Sequence, residues 1–261
     1  MKVIILCGGV GTRLKEETEF KPKPMVEVGG KPLIWHIMKI YAHYGFNEFI
    51  LALGYKGNYI KDFFLNQKAF TTDFTLNTKT YKTTFHLKNR KEDGVDVFNI
   101  TFVDTGVESP TSDRIIKCKK YIPETDKEFM VTYGDGVSNI DLKKLLEFHR
   151  HQKTIGTITG VHPSSKFGLV KTNENNPDLV KSFQEKPVLS DWVNGGFMVF
   201  TKEIFKYLKP EEMDHAAYQR IADDEQLSVY KHEGFWYAVD TSRELENLKE
   251  LWNNNPYWKI W

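Results

Sequence analysis

The beginning of the chain constrains the fold more than any other segment. Residues 3–7 form an unbroken apolar run, and Gly8 and Gly9 follow it directly. A run of this length is typical of a strand that is buried on both faces, and such strands occur in parallel sheets covered by helices. Residues 49–53, which Gly54 ends, repeat the pattern. Two such strands predict an α/β sheet with helices on both faces.

Helical and extended patterns alternate along the rest of the chain. Helices are predicted where apolar residues recur at helical spacing, at residues 31–44, 58–65, 142–152, 203–208, 218–223 and 244–252. Further strands are predicted at residues 129–133, 156–161, 169–172, 180–183 and 197–200. The alternation predicts a Rossmann-like α/β fold with a doubly wound mixed sheet, in a single domain that spans residues 1–261.

Residues 70–103 interrupt this alternation. Thr and aromatic residues alternate through residues 74–76, 81–87 and 97–103, which is typical of strands, and the pair Asp93-Gly94 predicts a turn. We expect an antiparallel excursion here, with residues 99–103 returning to the main sheet.

The composition excludes several classes of protein. Lys and Arg number 36 and Asp and Glu number 35, with no polybasic tract, so nucleic acid is not an expected partner. The two cysteines, Cys7 and Cys118, do not make a disulfide framework. Because the chain has no signal peptide and no apolar run near the ~20 residues of a membrane helix, we expect a cytoplasmic protein without a membrane partner.

The glycine-rich loop after the first strand predicts a phosphate site. Gly8, Gly9 and Gly11 allow the backbone N–H groups to approach a ligand closely, and Arg13 adds a forked cationic donor. Leu14 stands where a dinucleotide-binding fingerprint needs glycine, and the Gly-Lys-Ser/Thr of a Walker loop is absent from the sequence. A triphosphate therefore suits the loop, although an ordinary tight turn between a strand and a helix has the same pattern.

A second basic segment follows at Lys21-Pro22-Lys23-Pro24. Alternating prolines hold the backbone extended and disfavour a helix, so a lysine on this segment reaches a phosphate at little cost in ordering. A solvated basic loop is the alternative interpretation. Further along, Asp135 follows a predicted buried strand, at the sheet edge where carboxylates are well placed to contact ligands and metals.

Together these motifs resemble those of the sugar-1-phosphate nucleotidyltransferases, whose signature is Gly-Gly-x-Gly-Thr-Arg-Leu followed by a loop with Lys-Pro. Segments along nearly the whole chain resemble the glucose-1-phosphate cytidylyltransferases of that family, among them residues 8–14, 21–26, 54–57, 103–106, 132–137, 182–187, 194–197 and 234–236. The resemblance implies a fold of the nucleotide-diphospho-sugar transferase type. It also implies synthesis of CDP-glucose and pyrophosphate from CTP and glucose 1-phosphate, Mg²⁺ as cofactor, and a homo-oligomer, as a trimer or hexamer.

The resemblance also assigns roles to individual residues. Those implied to be catalytic are Arg13, Lys23 and Asp135. Those implied to bind the nucleotide are Leu6, Gly8, Gly9, Gly11, Thr12, Arg13, Lys23, Thr105, Gly106, Arg114 and Asp135. Those implied to bind the sugar phosphate are Tyr133, Glu185, Lys186, Asn194 and Gly195. Asp135 and Asp240 are implied to hold the metal, although Asp240 is also placed to cap a helix before Glu244.

The chain departs from the family pattern at three segments. Thr111-Ser112-Asp113-Arg114 replaces Thr-Gly-Gly-Arg, Lys166 replaces an arginine before Phe167-Gly168, and Ala216-Ala217-Tyr218 replaces Glu-Pro-Leu. The departures leave open a relative that uses another sugar phosphate or another nucleoside triphosphate, and a sensor that binds nucleotide without turnover. The last departure predicts altered sugar selectivity, unless that segment only starts a helix.

Overall fold

The structure of the protein is a computed structural model that describes residues 1–86 and 97–261. In chain order the strands are β1 (Lys2–Cys7), β2 (Glu27–Val28), β3 (Lys31–Pro32), β4 (Glu48–Leu53), β5 (Phe74–Asn77), β6 (Lys82–Phe85), β7 (Asn99–Asp104), β8 (Glu128–Tyr133), β9 (Gly136–Ser138), β10 (Gly156–Val161), β11 (Leu169–Asn173), β12 (Asn176–Gln184), β13 (Val193–Thr201), β14 (Leu227–Lys231) and β15 (Trp236–Ala238). The helices are α1 (Lys15–Thr18), α2 (Leu33–His43), α3 (Gly57–Thr71), α4 (Thr111–Cys118), α5 (Leu142–Gln152), α6 (Asp214–Asp223) and α7 (Ser242–Asn254).

A seven-stranded sheet in the order β14-β10-β13-β8-β1-β4-β7 forms the centre of the fold. β1 pairs in parallel with β4 and β8, and β4 pairs in parallel with β7. β13 runs antiparallel to both β8 and β10. The predicted Rossmann-like mixed sheet is therefore confirmed, and so is the return of residues 99–103 to it.

Burial on both faces explains the unbroken apolar run of the first strand. Val3, Ile5 and Cys7 pack into one hydrophobic cluster with α2, α3, α5 and α7, whereas Ile4 and Leu6 pack into a second cluster with α4 and α6. Because β1 has helices on both sides, neither set of alternating side chains within residues 3–7 faces water, and all five of these side chains are apolar.

The excursion after α3 is an antiparallel hairpin of β5 and β6. The predicted Leu87 end of the second strand and the Asp93-Gly94 turn lie outside the described residues. β11 and β12 form another separate hairpin, so the strands predicted at residues 169–172 and 180–183 do not join the main sheet.

Several boundaries differ from those predicted. α6 begins at Asp214 rather than at Tyr218, and residues 202–206 form a 3₁₀ helix where a short helix was predicted. Neither α4 nor β14 is predicted from the sequence. α4 has only two turns and few apolar residues, so its helical period is weak.

The C-terminal tail completes the first cluster. Trp258 is 0% exposed, and its Nε1 donates to Nδ1 of the equally buried His36 at 3.4 Å. The Nε2 of His36 donates to the carbonyl of Val28 at 2.9 Å, which requires the tautomer with the proton on Nε2. Burial is the main cause that lowers the pKa of His36 to about 4, so the ring is neutral in the fold.

Candidate active site

The glycine-rich loop leaves the carboxyl end of β1 and passes into a 3₁₀ helix at Thr12–Leu14. Gly11 has a φ of +68°, a conformation that side chains with a Cβ rarely adopt. A Cβ there would also lie 2.9 Å from Cγ2 of Thr18. The hydroxyl of Thr18 donates to the carbonyl of Gly11 at 3.1 Å and fixes the loop from behind.

Arg114, on α4, binds the loops that follow β1 and β7 and also the last residue of β4, Leu53, whose carbonyl accepts from it at 3.4 Å. Its guanidinium donates to the carbonyls of Gly8 at 3.1 Å and Gly106 at 2.9 Å and to Oγ1 of Thr105 at 2.6 Å. It is only 4% exposed, and Thr105 is 1% exposed. In this arrangement Arg114 and Thr105 shape the loops around the cavity. Their direct contact with a nucleotide stays a prediction.

The segment with alternating prolines places Lys23 in the site. Pro22 is extended, as predicted, but Lys23–Met25 then form a single 3₁₀ turn that the sequence analysis did not foresee. Nζ of Lys23 lies 2.7 Å from Oδ2 of Asp135 and 2.6 Å from Oδ1 of Asp240. The lysine is therefore bound between two carboxylates and is not a solvated loop residue.

A short antiparallel pair brings the two aspartates together. Asp135 directly precedes β9, Asp240 lies two residues after the end of β15, and Ala238 of β15 pairs with Gly136 of β9. The amide of Val239 donates to the carbonyl of Asp135 at 2.9 Å and extends this pairing to the aspartates. The sequence gives little sign of either strand, because each is three residues long.

The charges within this cluster stabilise the ionised forms of Lys23 and Asp240. Burial by itself would lower the pKa of Lys23, but the charges and hydrogen bonds of Asp135 and Asp240 outweigh it and raise the pKa. Burial would raise the pKa of Asp240, but hydrogen bonding to Lys23 and the charges of Lys23, Lys166 and Arg13 lower it. Both groups are therefore charged at neutral pH.

Asp240 is not the cap of the helix that follows it. The N-cap of α7 is Thr241, whose side chain accepts from the amide of Glu244, while Glu244 Oε2 accepts from the amides of Thr241 at 2.9 Å and Asp240 at 2.7 Å. This capping box leaves the Asp240 carboxylate available to cations. Arg13 lies 3.4 Å from it and Lys166 lies 3.7 Å from it.

Two cavities lie on either side of the Lys23–Asp135–Asp240 cluster. The first, of about 280 Å³, is lined by Leu6, Cys7, Gly8, Gly9, Gly11, Lys23, Pro24, Ser109, Pro110, Thr111, Arg114, Tyr133, Gly134, Asp135 and Met213. The second, of about 540 Å³, is lined by His162, Pro163, Ser164, Ser165, Lys166, Lys186, Trp236, Tyr237, Ala238, Asp240, Thr241, Arg243, Glu244 and Asn247. Seven of the residues predicted for the nucleotide line the first cavity: Leu6, Gly8, Gly9, Gly11, Lys23, Arg114 and Asp135. Thr12 and Arg13 lie on the adjoining turn. Thr105 and Gly106 do not line the cavity, and contact Arg114 instead.

Two of the five residues predicted for the sugar phosphate line a cavity: Tyr133 lines the first and Lys186 the second. Lys186, with a φ of +46°, lines the second cavity, and its Nζ lies 3.6 Å from Oε1 of the exposed Glu185. The carbonyl of Gly195 accepts from Nε1 of Trp236 at 2.8 Å. Nδ2 of Asn194 lies 3.5 Å from Oη of Tyr133, which lines the first cavity.

One carboxylate beside the site, that of Asp214, is not predicted from the sequence. Asp214 is 5% exposed, and its Oδ2 accepts from the hydroxyls of Tyr133 at 2.7 Å and Tyr218 at 3.1 Å. Its amide donates to Oγ1 of Thr111 at 2.8 Å. No local pattern marks Asp214 as a site residue, because Tyr133, which connects it to the first cavity, is 81 residues away along the chain.

This fold and site are those of a nucleotidyl transferase: the model of the nucleotidyl transferase family matches residues 2–255, and the chain belongs to this family. It is 40% identical to a probable glucose-1-phosphate cytidylyltransferase of Bacillus subtilis (strain 168) and 38% identical to a glucose-1-phosphate cytidylyltransferase of Salmonella typhimurium, in each case over 100% of both chains. The resemblance seen in the sequence is thereby confirmed.

A solved structure supports the fold. The chain is similar, with a TM-score of 0.67 and 17% identity, to a UDP-glucose pyrophosphorylase complexed with UDP-glucose, over 97% of this chain and 98% of that one. No helix within residues 1–86 and 97–261 is both long and apolar enough to cross a membrane.

Proposed function

We propose that the protein transfers a cytidylyl group from CTP to a sugar 1-phosphate, with α-D-glucose 1-phosphate as the preferred acceptor, and releases pyrophosphate. The observation that carries this proposal is the cluster of Lys23 between Asp135 and Asp240, beside a glycine loop that suits a triphosphate. The choice of CTP and glucose 1-phosphate rests on the two relatives that match the chain over its whole length.

The reaction needs no general base. An oxygen of the sugar phosphate attacks the α-phosphorus of CTP, a new P–O bond forms, and the bond to the β-phosphate breaks as pyrophosphate leaves. Because the attacking oxygen is already anionic, catalysis consists of positioning and charge stabilisation. Lys23 neutralises charge at the α-phosphate, Arg13 and the loop amides hold the leaving phosphates, and Lys186 pairs with the phosphate of the sugar.

The cofactor we propose is Mg²⁺, held by Asp135 and Asp240. Within the described residues no group of three or more His, Cys, Asp or Glu side chains gathers around one point. Mg²⁺ in nucleotide sites is, however, usually held by one or two carboxylates together with phosphates, and these two carboxylates already converge on one cation, the ammonium of Lys23. The ion would neutralise phosphate charge during the transfer.

We further propose that the protein forms a homo-oligomer, as a trimer or hexamer. The β11–β12 hairpin and the turn before it expose apolar side chains, with Phe167 78% and Phe183 62% exposed. Trp258 of the C-terminal tail does not add to this surface, because it is buried. A mass from light scattering above that of one chain supports assembly, and the mass of one chain at micromolar concentration contradicts it. A cytoplasmic location stays a prediction.

One assay tests the function against its alternatives. Pyrophosphate release is measured for CTP, UTP, GTP and dTTP, each with several sugar 1-phosphates and with and without Mg²⁺. We expect release that needs Mg²⁺ and is greatest for CTP with glucose 1-phosphate. Binding of CTP without release for any sugar would indicate a nucleotide sensor instead.

A further inference from the structure

The hydroxyl of Tyr133 is fixed in place by groups on three elements. Tyr133 ends β8 and lines the first cavity beside Lys23 and Asp135. Its ring packs on Gly196, where a Cβ would lie 2.6 Å from Cδ2 of the tyrosine. The φ of Gly196 is +86°, so this position combines an unusual backbone with a close approach. One face of the ring therefore lies against the backbone of β13.

Asp214 is the strongest hydrogen-bond acceptor next to this hydroxyl. Its Oδ2 lies 2.7 Å from Oη of Tyr133, and the carboxylate is 5% exposed. The hydroxyl of Tyr218 donates to the same oxygen at 3.1 Å, and the ring of Tyr218 is stacked on Phe200 with centroids 5.7 Å apart. The amide of Asp214 is bound to Thr111, so the backbone of this residue is anchored as well.

The single proton of Tyr133 is committed by this geometry. A tyrosine hydroxyl donates one hydrogen bond and accepts up to two. A carboxylate accepts more strongly than a neutral oxygen, so the proton points to Asp214. A phenolic hydroxyl is protonated at neutral pH, so Tyr133 has this one proton to donate. Nδ2 of Asn194 is a donor, so it adds a bond to Oη without needing the proton.

We propose that Asp214 is a positioning residue that makes Oη of Tyr133 an acceptor towards the cavity, so that the site selects a sugar with a hydroxyl donor at that point. This inference rests on the proposed function, because it concerns the sugar phosphate of the same reaction. The inference predicts that the site distinguishes sugars with a hydroxyl donor at this position from deoxy and fluoro sugars, which lack the donor.

Fluorinated sugars give a readout that a purely structural role of Asp214 would not change. Fluorine in place of a hydroxyl accepts weakly but cannot donate. If Tyr133 only accepts, replacing the contacted sugar hydroxyl by fluorine or by hydrogen lowers kcat/KM equally. If Tyr133 donates, the fluoro analogue recovers part of the loss.

The experiment measures kcat/KM for the full chain with CTP and the monodeoxy and monofluoro analogues of whichever sugar 1-phosphate the wild type turns over best. For the wild-type protein, we expect one ring position at which both analogues have a kcat/KM about tenfold or more below that of the parent sugar 1-phosphate. In Tyr133→Phe, the parent sugar 1-phosphate and its deoxy analogue at that position should have the same kcat/KM. Asp214→Asn presents a weaker acceptor and frees the proton, so the fluoro analogue should gain at least about threefold over the deoxy analogue.

The matched control is Asp224→Asn, which removes an exposed carboxylate that accepts from the hydroxyl of Tyr207 at 2.6 Å. It should leave all analogue ratios unchanged. In Asp214→Asn the KM for CTP should stay within about twofold of wild type, because the proposed change is confined to the sugar.

Two results overturn the inference alone: a wild type that favours fluoro over deoxy analogues at every ring position, or an Asp214→Asn variant that lowers kcat/KM equally for all sugars. If Asp214→Asn does not fold, the wild-type fluoro pattern and Tyr133→Phe decide the question. Wild-type protein that releases no pyrophosphate with any sugar 1-phosphate overturns the proposed function and this inference together.

Discussion

Nζ of Lys23 lies 2.7 Å from Oδ2 of Asp135, although 112 residues separate them in the chain. The contact joins the proline segment after the first strand to the end of β8, and the same ammonium holds Asp240. One lysine therefore balances both carboxylates that we propose as metal ligands. Its removal would leave two negative charges facing each other and a phosphate without its cation.

Lys23→Ala should lower kcat by about 10²–10³-fold, because a fixed charge that acts on the transition state is lost. Steady-state pyrophosphate release measures this effect. The control is Lys21→Ala, which removes a lysine on the same segment that lies 3.5 Å from Glu17 and 3.8 Å from Glu27. Near-wild-type turnover in Lys23→Ala would show that the cluster is structural.

Asp135→Asn and Asp240→Asn should each lower kcat by orders of magnitude and raise the Mg²⁺ concentration needed for half-maximal activity, because each removes one anionic metal ligand. The measurement is a Mg²⁺ titration at saturating CTP. Asp178→Asn, at an exposed position on β12, should titrate like wild type. An unchanged Mg²⁺ requirement in both site variants would exclude these carboxylates as the metal ligands.

Gly8→Ala should destabilise the fold by about 1–3 kcal/mol, because its Cβ would collide with the buried guanidinium of Arg114. Thermal unfolding measures the change. Gly9→Ala is the matched control, since no atom lies within 4 Å of its added Cβ. Equal midpoints for the two variants would mean that Arg114 moves freely and does not fix the loop.

The sheet and the residues of the Lys23–Asp135–Asp240 cluster can be predicted from the sequence, whereas most of the contacts around them cannot. Residues 3–7 and 49–53 predict buried strands correctly because burial on both faces leaves a continuous apolar run. Lys23 and Asp135 stand in recognisable motifs.

The missing parts depend on contacts between distant segments. Arg114 is buried because it contacts the carboxyl ends of β1, β4 and β7. These segments are far apart in the sequence and share no local pattern. The selectivity hypothesis for Ala216 stays a prediction, but the carboxylate bound to Tyr133 is Asp214, two residues earlier. Because the local sequence does not show that Tyr133 contacts the start of α6, Asp214 could not be predicted without the fold.

Acid should weaken the fold through His36. In the unfolded chain its pKa is near 6.5, whereas burial lowers it to about 4 in the fold. Between these values the unfolded chain binds the extra proton, so stability falls as pH drops from about 6.5 to 4, by roughly 3 kcal/mol in total. Protonation of Nδ1 would also break the bond from Trp258.

Urea unfolding at pH 7.5 and pH 4.5 measures this dependence. His36→Gln keeps a donor and an acceptor without titrating, so its loss of stability over this range should be clearly smaller. His149 and His232, whose pKa values burial also lowers, remain in both proteins and contribute equally to each. Identical pH dependence in the two proteins would exclude His36 as the group responsible.

The central claim, cytidylyl transfer, is tested most directly with CTP labelled at the α-phosphorus, incubated with glucose 1-phosphate, Mg²⁺ and the wild-type chain. We expect the label in CDP-glucose, in equal amount to the pyrophosphate released, and a kcat/KM for CTP above those for UTP and dTTP. Label in CMP with no sugar nucleotide would contradict transfer. A kcat/KM for UTP or dTTP about tenfold above that for CTP, about 1.4 kcal/mol of discrimination, would contradict the cytidylyl assignment.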